Sequence, residues 1–277
     1  MPTVNSLAPR PAQLVGPRWS WKLVILLLCA SVLGSALLIP YSLTLVKSVT
    51  KVPEGLPADM FWVIAMGVNL VFETFLSAVA IFLGLYLGRS LGLGAPLLQR
   101  WLENEPLAAR QIRSSLWPAV IWGVAMGVLV LLLDQTLKPL VPPRPQSLVI
   151  PGPWAGFLAS IGAGIREEIW LRLGVLTVAV WLGAKLTRQG PSPTLLWMAN
   201  IIATLLFGAI HLPQAAQFYG KLTLGFAMYV LLLNGAAGLA FGWLYWRRGL
   251  VAAMMAHFSA DVVLKVIVPL VRLALGR

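Results

Sequence analysis

Charge is what this sequence has least of. Only 11% of its 277 residues are Asp, Glu, Lys or Arg, where soluble domains carry about 25%. With 59% of residues hydrophobic, a water-soluble globule of this length is excluded, because it could not hide so much apolar surface. A single cysteine, Cys29, rules out an intrachain disulfide and a cysteine-based metal cluster. The apolar runs are long and continuous and do not alternate with polar residues over short segments, which favours helices over a membrane β-barrel. No internal repeat, low-complexity segment or room for a separate soluble domain is present. Histidine is nearly absent too, with only His211 and His257 in the chain, so histidine chemistry has two places to be.

What is there is a series of long apolar runs, several approaching the roughly 20 residues that cross a bilayer as a helix. The expected fold is all-α, a polytopic transmembrane helix bundle of about seven spans, within a range of six to eight. Residues 1–20, with four prolines and no periodicity, read as a disordered tail, and 21–277 as the integral membrane domain. The runs lie at Leu23–Val46, Met60–Leu87, Leu116–Leu133, Trp154–Leu182, Leu195–His211, Leu222–Trp246 and Leu250–Leu275. Residues 89–113 read as a polar connection, and the prolines between 139 and 153 as a loop. The first run is too long for a signal-peptide core and reads as an uncleaved span.

The formal net charge of +12 comes mostly from Lys and Arg between apolar runs, where cytoplasmic loops and anionic headgroups account for it. A nucleic-acid partner is not expected. The balance of Lys and Arg favours a cytoplasmic N-terminus, with Arg272 and Arg277 on the other side. The expected location is the bacterial plasma membrane, as a multi-pass protein. Small residues four apart mark close helix packing: Gly152, Gly156, Ser160 and Gly164 in the fourth run, Asn234, Gly238 and Gly242 in the sixth, Gly123 and Gly127 in the third.

Against this background the ionisable residues inside apolar runs stand out: Glu73, Glu167, Glu168 and Asp261, with both histidines. Such groups cost several kcal/mol at membrane depth unless paired or hydrated, so they are functional candidates. Glu167 and Glu168 point about 100° apart on a helix. Glu168 precedes Arg172 by four residues, the favourable order for an ion pair, and continues the stripe from Gly156 to Gly164. Glu168–Arg172 therefore reads as a structural pair. That leaves Glu167 without a local partner and free to act as a general base. His257 and Asp261 share a face at the same spacing, and Phe207 can pack against His211. Glu73 stands alone in its run and reads as structural.

Three patterns then occur in order on successive late spans: EExxxR at Glu167–Arg172, FxxxH at Phe207–His211, and HxxxN/D at His257–Asp261. This ordered set, over roughly residues 115–275, resembles the CPBP family of intramembrane proteases, which includes the type II CAAX prenyl endopeptidases. The resemblance implies hydrolysis of a peptide bond in or near the bilayer, with Glu167 and His211 activating a water and His257 and Asp261 supporting the oxyanion or the site. It implies no cofactor. The alternative is a zinc site held by Glu167, His211 and His257, a plausible ligand set with an open position, although no HExxH helix is present. Asp261 departs from the Asn common at its position: an amide donates to an oxyanion, an ionised carboxylate does not. Asp261 is then protonated, orients His257 or binds a metal.

The expected partners are the lipid bilayer and a protein or peptide substrate, membrane-embedded or prenylated. The chain itself ends Leu275-Gly276-Arg277 without cysteine and is not expected to be prenylated. Two other functions compete: a non-catalytic immunity or scaffold protein of the same fold, and a proton-coupled transporter. The intact Glu/His/His set speaks against the first, and the absence of a repeat against the second.

Overall fold

In the computed structural model, residues 19–276 are described, and all regular structure among them is helical. Most of the expected tail, residues 1–18, lies outside the described residues. Trp19 and Ser20 fall inside. Trp19 packs against the apolar core, and Ser20 caps the first helix by accepting from the backbone N–H of Leu23.

Seven helical stretches are long and apolar enough to cross a membrane. They are built from α1 (Trp21–Val49), α2 (Ala58–Gly88) and, after a short α3 (Pro96–Leu102) that lies between the second and third stretches, α4 (Pro106–Leu137), α5 (Pro153–Glu168), α6 (Thr177–Thr187), α7 (Pro193–Ala209), α8 (Leu212–Tyr219), α9 (Leu224–Arg248), α10 (Leu250–Val262) and α11 (Val268–Ala274). Two π-helical segments, Ile169–Leu176 and Val263–Ile267, join α5 to α6 and α10 to α11 without breaking the spans.

The expected polar connection over 89–113 is largely helical. Proline occupies the first turn of both α3 and α4, where its missing N–H costs nothing. From Pro106 the chain is amphipathic: Ala108 is fully buried while Arg110 and Arg113 face outward. The third span therefore begins ten residues earlier than the apolar run shows. The fifth run also ends earlier, at Ala209. His211 falls at the junction, where its carbonyl accepts from Ala215 and starts α8.

The surface and the interior are inverted relative to a soluble protein. Val63, Val71, Phe72, Leu132 and Leu205 face outward, as lipid-facing residues do, while Glu168 and Arg172 are fully buried. Close approach of backbones makes this interior. A Cβ on Gly123 would meet the carbonyl of Ala256, and one on Gly156 the carbonyl of Lys265, so α4 and α5 both press on the last span. One on Gly242 would meet the Asn200 side chain, which donates to Leu239 O across α7 and α9 at 2.9 Å. α1 meets α5 at Gly34 and Gly162 in the same way.

Candidate active site

α5 delivers two adjacent carboxylates into the bundle, and its small-residue stripe decides what they meet. Gly164 lies against Met254 and Phe258 of α10. One turn on, Glu168 reaches His257 of the same helix, Oε1 to Nδ1, at 2.8 Å. Its other oxygen faces Arg172 Nε at 3.2 Å, with both side chains fully buried. Arg172 also donates to the carbonyl of Gly238 on α9 and lies over the Phe207 and Phe241 rings. Glu168 is thus more than half of an ion pair, because it also fixes a histidine. A carboxylate only accepts, so Nδ1 of His257 carries the proton and Nε2 faces away.

Nε2 of His257 faces two oxygens at longer range, Glu167 Oε2 at 3.8 Å and Asp261 Oδ2 at 3.9 Å. Neither is a direct hydrogen bond. Phe241 stacks on the imidazole at 4.9 Å. Phe207 meets it edge-on at 5.7 Å and meets His211 edge-on at 5.1 Å, so one ring separates the two histidines. His211 Nδ1 lies 2.7 Å from the carbonyl of Phe207. A carbonyl accepts, so that nitrogen donates and the free nitrogen is Nε2. Glu167 lies within electrostatic reach of His211. A cavity of about 180 Å³ opens beside the cluster, with Phe207, Asn234, Phe241, His257 and Asp261 in its wall.

Three pairings in the cluster were not foreseen. Glu167 is not without a local partner: Arg166 Nη2 sits 3.1 Å from its Oε1. Glu73 is not alone, since Nη1 of the same guanidinium pairs with its Oε1. Adjacent residues diverge on a helix, but a long arginine side chain bends back along the surface, which spacing rules do not capture. Asp261 is joined to Lys265 Nζ at 2.6 Å, so it sits as a carboxylate against an ammonium. The i,i+4 spacing that pairs Glu168 with Arg172 was available for Asp261 and Lys265 too. For the pairing of Glu73 with Arg166, 93 residues away, no local signal existed.

Among the described residues no group of three or more His, Cys, Asp or Glu side chains is arranged to hold a metal ion. Arg166 also brings a cation to Glu167, the one carboxylate of that zinc set, and Lys265 brings another to the neighbouring Asp261. The donor set in this arrangement does not fit a zinc ion.

Residues 149–263 match the family described as Rce1-like, type II CAAX prenyl endopeptidase Rce1-like. No curated protein and no solved structure gives a match. The matched segment contains Glu167, Glu168, Arg172, His211, His257 and Asp261, and leaves out Glu73 and Lys265.

Proposed function

We propose, for a chain whose segment 149–263 belongs to the Rce1-like family of type II CAAX prenyl endopeptidases, that Glu167 is the general base of a metal-free peptide-bond hydrolysis at membrane depth. The observation that carries this reading is the pair Glu167 Oε2 and His257 Nε2, 3.8 Å apart. A water hydrogen-bonded to both fits that separation.

In this mechanism Glu167, assisted by the free Nε2 of His211, takes a proton from the water as its oxygen attacks the scissile carbonyl carbon. The carbonyl oxygen becomes an oxyanion, and protonated His257 donates to it from Nε2 while Glu168 holds Nδ1. The proton taken by Glu167 then passes to the departing amine as the C–N bond breaks, giving a carboxylic acid and an amine. Glu168 and Arg172 position His257 and touch no substrate.

The substrate we propose is a peptide presented from the bilayer, with a prenylated CAAX peptide as the first to try. An apolar groove of about 490 Å³ between α2, α6 and α7 supports a lipidated substrate. Its wall includes Trp170 and Leu171, beside the two glutamates, and Ile210, beside His211. The bacterial plasma membrane is the proposed location.

The test compares purified wild type with Glu167→Gln on a farnesylated CAAX peptide. Newly formed C-termini are mapped in parallel in membranes from cells producing each protein. Gln is nearly isosteric but takes no proton, so the variant should fold normally and lose at least about 100-fold in rate. Equal cleavage by both proteins, or identical sets of termini, would reject the reading. The latter result would favour a scaffold or a transporter.

A further inference from the structure

The base of the proposed reaction is held by Arg166, whose guanidinium is shared with Glu73, a residue from outside the matched segment. On α2, Asn69, Glu73 and Ser77 stand one turn apart and form a polar stripe in a mostly apolar helix. All three are engaged. Asn69 Nδ2 donates to Glu73 Oε1 at 3.1 Å, and Glu73 Oε1 takes Nη1 of Arg166. Ser77 Oγ accepts from Trp170 Nε1 at 2.8 Å and bonds Ser31 of α1 at 2.6 Å. The guanidinium of Arg166 lies over the Trp170 ring at 4.8 Å, so its plane is fixed from two sides. Its remaining amino group, Nη2, holds Oε1 of Glu167 and leaves Oε2 turned toward His257.

We infer that Glu73 is a positioning residue for Glu167, acting through Arg166. One guanidinium is shared by two carboxylates, whose side chains are 12% and 10% exposed. Arg166 fixes which oxygen of Glu167 faces the histidine. Glu73 draws part of the guanidinium's charge away, so Glu167 is oriented without being locked into a private ion pair. A second-span carboxylate therefore sets how available the base is. The inference rests on the assignment of Glu167 as base, but the coupling itself is measurable without turnover.

The experiment uses full-length protein in detergent as wild type, Glu73→Gln, Arg166→Gln and the double variant. The rate at which dicyclohexylcarbodiimide modifies Glu167 is followed by peptide mass spectrometry, beside kcat and KM on the farnesylated CAAX peptide. Without the Glu73 charge the guanidinium falls to Glu167 alone. Modification of Glu167 should slow by about threefold or more, as expected for members of one network. The kcat should fall about tenfold or more with KM nearly unchanged, as for a misoriented catalytic group. In the Arg166→Gln background, Glu73→Gln should change neither rate, because its route is gone.

Equal labelling of Glu167 in wild type and Glu73→Gln, or the same ratio in both backgrounds, would overturn the inference. A purely structural Glu73 gives that additive result. If Glu73→Gln does not run as a monodisperse species, Glu73→Asp keeps the charge but withdraws it from Arg166. It should show the same effects at smaller size, and its identity with wild type in labelling would again reject the coupling. The expected labelling pattern in protein that cleaves nothing would uphold the coupling and reject the peptidase reading instead.

Discussion

Replacing Arg172 with methionine removes a fully buried cation and leaves its carboxylate behind. In the wild type, Arg172 Nε stands 3.2 Å from Glu168 Oε2, and neither side chain has any exposed surface. Nη2 also donates to Gly238 O at 2.8 Å. Removing one partner of a buried pair costs about 3–5 kcal/mol, because the other charge stays desolvated. Methionine fills most of the arginine stem's volume, so little is added for a cavity. His257 keeps hold of Glu168 Oε1, which leaves the stranded carboxylate one partner. The expected loss therefore lies at the lower end, about 3 kcal/mol or roughly 100-fold in the folded-to-unfolded ratio. Unfolding of the purified protein by SDS in mixed micelles, followed by circular dichroism, measures it. Adding Glu168→Gln removes the stranded charge while keeping an acceptor for His257, and should recover more than half of the loss. A single variant within about 0.5 kcal/mol of wild type, or a double variant no more stable than the single one, would refute the argument.

A methyl group at Gly156 would run into the backbone carbonyl of Lys265. Gly156→Ala should cost about 1–3 kcal/mol in the same titration; Gly152→Ala, with open space around it, should stay within about 0.5 kcal/mol. Equal effects would contradict the close approach of the fourth and seventh spans. Asp261→Asn strands the Lys265 ammonium, whose side chain is 26% exposed. It should cost about 1–2 kcal/mol, less than the loss at Arg172 because water reaches the cation. Lys265→Met added to it should restore stability, and an Asp261→Asn protein more stable than the double variant would show that the pair does not matter. Cleavage of the farnesylated peptide should survive exhaustive chelation, with substoichiometric zinc by elemental analysis. One tightly bound zinc per chain, lost with activity and restored by added metal, would overturn the metal-free reading.

Local pattern was enough for much of this protein. Seven spans follow from apolar length alone, since a helix rises about 1.5 Å per residue and the bilayer core fixes how many residues must be apolar. The stripe Gly156, Ser160, Gly164 faces a neighbouring helix because residues four apart share a face, and the close contacts of Gly156 and Gly164 lie on the last span. The motif triple points to the family that residues 149–263 match. Helix starts were less legible, because the first turns of α4 carry Arg110 and Arg113 on a face that only packing reveals as outward.

Only the tertiary structure decided who meets whom. Which span a stripe faces is not written in the stripe, so the bond from Glu168 to His257, 89 residues apart, could not be read from spacing. Nor could the pairing of Glu73 with Arg166 across 93 residues. The π-helical segments after Glu168 and after Val262 are equally invisible to periodicity. They insert within continuous apolar runs and leave composition unchanged. Sequence fixes which groups are too costly to leave alone in a membrane. Their partners are chosen by the way seven helices close around them, because the charge that relieves a buried carboxylate need only be near in space.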